Sequence, residues 1–436
     1  MDFVSNKQTQ IDEMLKVLGR EDLLELYEAV SKDLILPSPK INDGISELEG
    51  IALMEALSKK NTFPSFKSYL GSGAYEHYVP ALVGSTISKP EFLTSYTPYQ
   101  PEGSQGMLQA IFEYQSAICA LTDMDAANAS VWDGATATSE AALMALRIHK
   151  NRSKLLMFET LNPRYQATVR QYVDKNIADI KTVAAQANGQ GDLEALKKAL
   201  SDDVAAVIVQ SPNALGVVED MEAISKLAKE KGALVIQNGN PLAFGIYQTP
   251  GECGVDIAVG DTQPFGIPLN FGGPYAGYMA TKQEYVRQLP GRIAGETLDT
   301  KQRRAYTLAL QAREQHIRRE KALSNICTNQ ALMALSSLVA ILWYGKEGVK
   351  ELALTNFQRA SYLKKGLKNT LEGPIFNEFL VRFKTPLPEV LAHFRKHGIE
   401  PGCPTPLFKD GLVVAVTEMK TKSDLDRYLE VARECI

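Results

Sequence analysis

The sequence predicts an α/β protein: a parallel-rich sheet covered by helices, preceded by a helical arm and followed by a smaller α+β domain. Three observations carry this. Short continuous apolar runs alternate with amphipathic helical runs over 129–280, leucines at helical spacing fill the start of the chain, and a second, shorter alternation follows a long helical stretch near the end. The expected division is 1–62 for the arm, 63–328 for the large α/β domain and 329–436 for the small domain.

In the arm, Leu15, Leu18, Leu23, Leu26, Tyr27 and Val30 give a helical reading over 12–34, and 46–59 repeats it. Pro37, Pro39 and Gly44 separate the two. An arm this small has too little core to stand alone, so it is expected to wrap over a larger body or a partner subunit. The stretch 63–105 shows no strong period yet carries six tyrosine or phenylalanine side chains between Tyr69 and Tyr99, which suits an ordered functional loop. Ser104 is placed to cap a helix whose apolar face is Leu108, Ile111, Phe112, Ile118 and Cys119. Strands are predicted at 129–132, 155–158, 204–209, 233–237, 256–259 and 275–280, with helices at 138–149, 164–176, 192–200 and 221–231. Apolar runs without alternation are what a sheet buried on both faces requires. After a helical stretch over 329–371 come a strand at 375–383, a helix at 388–396, a strand at 412–416 and a last helix from Ser423.

Composition narrows the function. Over 436 residues, 47 basic side chains against 51 acidic leave a net charge of −4. A basic face that binds nucleic acid by counterion release is therefore disfavoured for the chain as a whole. Five cysteines, spread out and without a C-x-x-C pair, argue against a disulfide framework or a thiolate zinc site. The first residues show no charged, apolar and small-residue succession of a secretory leader, and the most apolar segment, 331–343, is too short for a bilayer. The expectation is a cytoplasmic protein with no membrane span and no metal.

Three segments carry possible chemistry. Val131-Trp-Asp-Gly-Ala-Thr-Ala-Thr-Ser-Glu follows a strand and opens a helix; backbone N–H groups there suit a phosphate, with Gly134 and Thr136 as contacts. The competing reading is a tight turn with Thr136 or Thr138 as helix cap. The second segment is the Gly/Pro-rich loop 260–274. An enzyme using pyridoxal phosphate with this order of elements presents a lysine after that strand, to hold the aldehyde as a Schiff base. From Gly232 through Thr281 there is no lysine, and Lys282 lies past the following strand. Gln237 and Asn238 also leave the preceding strand without an aspartate for a pyridine nitrogen. The third segment, 301–321, holds seven basic residues. It reads either as a solvated helix face or as a docking surface for an acidic partner or anion, with Arg313, His316 and Arg319 as members. The histidines show no metal spacing, and paired carboxylates, G-x-S-x-G and a Walker loop are all missing.

Two stretches are more specific: Tyr96-Thr-Pro-Tyr-Gln-Pro-Glu-Gly-Ser-Gln-Gly and Arg313-Glu-Gln-His-Ile-Arg-Arg-Glu-Lys-Ala-Leu-Ser-Asn-Ile-Cys-Thr. With Gly71-Ser-Gly-Ala-Tyr-Glu-His-Tyr-Val-Pro and Phe271-Gly-Gly-Pro-Tyr-Ala-Gly, they resemble the P-protein family of the glycine cleavage system, and within it the α chains, subunit 1 of glycine dehydrogenase (decarboxylating). The resemblance covers nearly the whole chain. It implies fold type I architecture and an α₂β₂ assembly in which the β chain holds pyridoxal phosphate on its lysine. Gln263 then stands where the β chain has that lysine. The implied reaction decarboxylates glycine, releases CO₂ and passes the aminomethyl group to the lipoyl arm of H-protein, with T-protein and L-protein as functional partners. Tyr96 and Tyr99 are the first candidates for reaching the partner's active site, since a tyrosine joins a flat apolar body to one hydroxyl. Gln100, Glu102, Ser104 and Gln105 follow. Gly103, Leu323 and Trp132 depart from the usual residues of the family. Two rival readings remain: a self-sufficient aminotransferase or lyase using a displaced lysine such as Lys282, and a degenerate chain with a structural or regulatory role.

Overall fold

The structure, a computed structural model, describes residues 5–36, 38, 40–61, 63 and 66–435. Pro37 and Pro39, read as separators, lie outside them. The chain divides into two compact units, 1–62 and 63–436.

The first unit holds α1 (Gln8–Val17) and α2 (Glu47–Ser58). The continuous helical reading of 12–34 does not hold. Gly19 takes a left-handed φ of 66°, and Arg20 N–H reaches back to the Leu15 carbonyl at 2.9 Å, which closes α1. Beyond it only short 3-10 turns form, at Leu23–Tyr27 and Lys32–Leu34. Ser46 and Glu49 form a reciprocal capping box that starts α2. Leu23, Leu26, Leu48, Leu53 and Met54 are all exposed.

In the second unit, β1 (Lys67–Ser68) opens a stretch expected to be loop, which also folds into α3 (Ala81–Ile87) and α4 (Pro90–Leu93). Next comes α5 (Gln105–Thr122). Ser104 occupies its N-cap position without a side-chain bond, so the expected hydroxyl cap is not made; only its carbonyl accepts, from Leu108 N–H at 3.0 Å. The strand expected at 129–132 is displaced to β2 (Ala126–Ala127), because Ser130 adopts φ 128° and breaks the run. Val131 keeps a single bridge, to Gly277.

There follow α6 (Gly134–Ile148), β3 (Lys154–Phe158), α7 (Pro163–Tyr172), β4 (Asp179–Val183), α8 (Leu193–Ala199), β5 (Val204–Gln210), α9 (Met221–Glu230), β6 (Leu234–Gly239), β7 (Ile257–Asp261) and β8 (Gly277–Thr281). The sheet runs β2-β8-β7-β6-β5-β3-β4; β3 through β7 are parallel, and β8 and β2 are joined by antiparallel pairing. Aspartates 192 and 220 cap α8 and α9 through side-chain bonds to backbone N–H groups, each worth about 1 kcal/mol. Separate apolar clusters cover the sheet: Leu156, Val207 and Val235 belong to one, Leu155, Ile208 and Ile236 to the other. Alternate residues of each strand thus enter opposite cores, as a doubly covered sheet demands.

Of the two readings of the basic segment, the solvated helix face does not hold, because the segment is largely not helical. It contributes β10 (Arg304–Ala309), which pairs with β9 (Ile293–Leu298) in an antiparallel ribbon, then turns through 311–313 into the four-residue α10 (Gln315–Arg318). The chain continues through α11 (Ala331–Gly366), whose ladder is interrupted at Gly345, where φ is 63° and ψ −178°. By length and composition α11 passes for a membrane span, yet Ser336 and Ser337 within it are fully buried and donate to Gly266 and Thr262 behind β7. The last elements are β11 (Glu378–Arg382), α12 (Leu387–Lys396), β12 (Ile399–Glu400), β13 (Cys403–Thr405), β14 (Phe408–Ala415) and α13 (Lys422–Ala432). They pack around Phe379, Phe394, Val414 and Tyr428, and β12 pairs with β1. At Gly216, φ is 78° and an added Cβ would lie 2.2 Å from the Glu378 carbonyl oxygen, so only glycine lets this turn touch β11.

Candidate active-site pocket and aromatic face

At the carboxyl ends of β5, β6 and β7, where open α/β sheets bind ligands, lies a small pocket. Gln210, Asn238, Gly239, Asn240 and Asp261 line it from the sheet, Gly73 and Tyr75 from the loop after β1, Tyr165 from α7, and Asn377 and Glu378 from the start of β11. Its cavity volume is about 30 Å³. That is room for about two waters, against the roughly 300 Å³ or more of a small-molecule site.

The reason is that the chain fills its own site. Gln263 is fully buried, and its amide is spent: Oε1 accepts Tyr75 N–H at 2.9 Å, and Nε2 donates to the carbonyls of Tyr75 at 2.8 Å and Ile267 at 2.9 Å. At the start of α6, Asp133 is the cap, taking Thr136 N–H at 2.7 Å, and Asp261 takes Gly134 N–H at 3.1 Å. This corrects two readings of the turn. Neither Thr136 nor Thr138 caps the helix, because Asp133 does, and the Gly134 and Thr136 amides do not face a phosphate, because two carboxylates already hold them. Gly134 leaves no room for a ligand either. An added Cβ there would sit 2.9 Å from the Tyr165 hydroxyl, so the space is taken by this chain.

Electrostatics agree. Burial pushes the Asp261 carboxyl up to about 7, opposed by N–H bonds from Gln263 and Gly134 and reinforced by Asp133. Burial likewise raises Glu378 to about 6, against hydrogen bonds from Ser72 N–H and the Tyr75 hydroxyl. Asn238 donates to the Thr138 hydroxyl at 2.8 Å and offers no charge. The residues therefore do not fit pyridoxal phosphate held in this pocket: among the described residues no amine lines it, the anion-binding amides are occupied by carboxylates, and the volume is about a tenth of what is needed.

Lys282 is no substitute. Thr281 pairs with Ile257 while Gly277 pairs with Asp261, so Lys282 follows the end of β8 that lies beside the amino end of β7. Four residues of strand, about 13 Å, separate it from the pocket. Its ammonium is paired with Asp256.

The remaining candidates lie elsewhere. Tyr96 is 76% exposed and Tyr99 47%. The Tyr99 hydroxyl accepts from Arg292 at 2.8 Å, and its ring meets His316 edge-on at 5.7 Å. Gln100 and Glu102 are exposed, and Ser104 is half-buried. Gln105 is turned away from this group: it bonds both N–H and C=O of Tyr306, tying α5 to β10. Arg313 points inward, donating to the Leu289 carbonyl, and burial with Arg147 nearby lowers it to about 10 although Glu314 opposes this. Arg319 is exposed. Trp132 donates to the Thr328 carbonyl at 3.0 Å, which anchors the turn before α6 to the segment before α11. The structure thus brings Tyr99 and His316 together and keeps Gly134 and Thr136 apart from them. Asp133, Asp261, Glu378 and Arg292 were missed. Asp133 stands directly before the start of α6, in a segment read as opening a helix, which was the available signal; Asp261 stands in the segment read as a Gly/Pro-rich loop after a strand, and it, Glu378 and Arg292 had none.

The fold is that of fold type I, the architecture of pyridoxal-phosphate enzymes. A sphingosine-1-phosphate lyase of Burkholderia pseudomallei shares this fold with a TM-score of 0.65 at 15% identity, over 92% of both chains. The chain belongs to the glycine cleavage system P-protein family, whose model matches residues 1–432. It is 56% identical, over all of both chains, to a probable glycine dehydrogenase (decarboxylating) subunit 1 of Protochlamydia amoebophila. A crystal structure of glycine decarboxylase (P-protein) in inhibitor-bound form superposes with a TM-score of 0.92 at 37% identity, covering both chains completely.

Proposed function

We propose that this chain is the lysine-free subunit of a glycine-decarboxylating enzyme complex, inactive alone, whose partner subunit holds the pyridoxal phosphate in an α₂β₂ assembly. The pair decarboxylates glycine, releases CO₂ and passes the aminomethyl group to the lipoyl arm of H-protein, upstream of T-protein and L-protein. One observation carries the reading: the position after β7 is filled by a buried glutamine with every polar atom bonded. When bound in the partner, the cofactor supplies the electron sink for losing CO₂. This chain's contribution is its face: Tyr96, Tyr99, Gln100 and Glu102 are exposed, Tyr99 lies against His316, and the four line the approach to the partner's site. Regions 1–62, 63–328 and 329–436 serve as arm, large domain and small domain. The complex works in the cytoplasm, which suits five free cysteines.

The test is borohydride reduction after incubation with pyridoxal phosphate. The chain alone should gain no cofactor adduct and show no glycine–CO₂ exchange; mixed with its subunit 2 partner, exchange should appear and the adduct should map to the partner. An adduct on a specific lysine of this chain would overturn the proposal.

A further inference from the structure

Arg292 lies just before β9 and takes no part in the pocket. Its side chain is only 4% exposed, yet its hydrogen bond from Nη2 goes to an exposed phenol, Tyr99, at 2.8 Å. The guanidinium carbon also sits 5.2 Å from the centre of that ring, so Arg292 fixes both the tilt of the ring and the place of its oxygen. The backbone is fixed in turn, since the Arg292 carbonyl accepts Ala129 N–H at 2.8 Å. Glu314, 8% exposed, faces Arg292 Nε at 3.8 Å and His316 Nδ1 at 3.7 Å, and the His316 ring closes against Tyr99. Two separate segments of chain, at Arg292 and at Glu314–His316, therefore converge on one phenol.

Stability does not account for this arrangement. Arg292 Nε and Glu314 Oε1 are buried without hydrogen-bond partners, and the pair stands beyond bonding distance. A buried ion pair left open in this way costs more than an apolar pair of the same size. Tyr96, three residues away and more exposed, has no comparable support among the described residues.

The chemistry of the pair sets a direction. Arginine only donates, so the Tyr99 oxygen is the acceptor in this bond and its own O–H points elsewhere. Among the described residues nothing accepts that proton. We propose that Arg292 is a positioning residue that holds the Tyr99 hydroxyl outward as a fixed donor to a carboxylate oxygen in the partner subunit's site. This rests on the reading of the chain as the lysine-free subunit.

The test uses the complex reconstituted with subunit 2, pyridoxal phosphate and lipoylated H-protein. Tyr99→Phe, Arg292→Met, Arg292→Lys and the Tyr99→Phe/Arg292→Met double variant are compared by glycine–CO₂ exchange, with KM and kcat separated. A second readout is ¹⁹F NMR of 3-fluorotyrosine placed at position 99. A charge-assisted hydrogen bond to substrate predicts that Tyr99→Phe raises the KM for glycine about tenfold. Arg292→Met should do the same within about twofold, the double variant should be no worse than either single one, and Arg292→Lys should recover part of the loss. The ¹⁹F resonance should move and broaden in Arg292→Met. Effects that multiply to about a hundredfold, or an unmoved resonance, overturn the positioning role. A moved resonance with an unchanged KM in Tyr99→Phe instead overturns the placement of this face against the partner's site, and the outward donor with it. Should Arg292→Met fail to assemble, Arg292→Lys carries the same comparison.

Discussion

Replacing Gln263 with leucine removes three hydrogen bonds at once from a fully buried position. The Tyr75 N–H is left without an acceptor, which costs about 1–3 kcal/mol, and the Tyr75 and Ile267 carbonyls each lose about 0.5–1.5 kcal/mol of net bonding. The leucine's easier transfer from water returns about 1 kcal/mol. A net loss of about 3 kcal/mol is expected, read as a lower midpoint in urea unfolding of the isolated chain. Gln263→Lys is the informative companion. Its ammonium reproduces the two donor bonds but not the accepting one, so it too should destabilise. With the cavity lined by its neighbours Tyr75 and Pro264 only about 30 Å³, borohydride should still trap no pyridoxal phosphate there. A loss under about 1 kcal/mol for Gln263→Leu, or a trapped adduct in Gln263→Lys, would refute the picture of a site plugged by its own glutamine.

Two further predictions concern pH. Asp261 is raised to about 7 and Glu378 to about 6, so both contribute most to stability while protonated, below about pH 4, and that contribution drains away as pH rises through 6 and 7. A three-unit shift is about 4 kcal/mol for Asp261; accordingly the stability of Asp261→Asn, measured by unfolding at pH 5 and pH 8, should change less between them than that of the unaltered chain. Glu418 has the opposite sign. Burial works against its charge, but His77, Tyr78 N–H and Asn356 hold it at about 2, so its contribution of about 3 kcal/mol is present above pH 4.5 and lost as pH falls toward 2. Glu418→Gln should therefore destabilise at pH 7 and make little difference near pH 2, and an equal effect at both would contradict the ion pair.

The central strands were legible because β5 and β6 are buried on both faces and must be written as unbroken apolar runs. β4 escaped because it is an edge strand with mostly exposed side chains, and its Asp-Ile-Lys-Thr-Val carries no such run. The β9–β10 ribbon escaped for a related reason: Arg303 and Arg304 pulled the reading toward a charged helix, although Gln302 at φ 60° makes a turn there. In the site, a missing lysine was readable as an absence over fifty residues. What replaced it was not, since the carboxylate opposite Tyr75 comes from Glu378, more than 300 residues along the chain. Local patterns report local geometry; Arg292 reaching Tyr99 is a product of the fold alone.

The two carboxylates at the start of α6 also bear on supply. A protein whose helix terminus waits for a phosphate is stabilised by that ligand through mass action, and its folded fraction follows the ligand's concentration. Here Asp133 and Asp261 already accept the Thr136 and Gly134 N–H groups from within the chain. The start of α6 therefore needs no bound phosphate to complete its hydrogen bonding, and the folded fraction of the isolated chain should not follow the concentration of added phosphate.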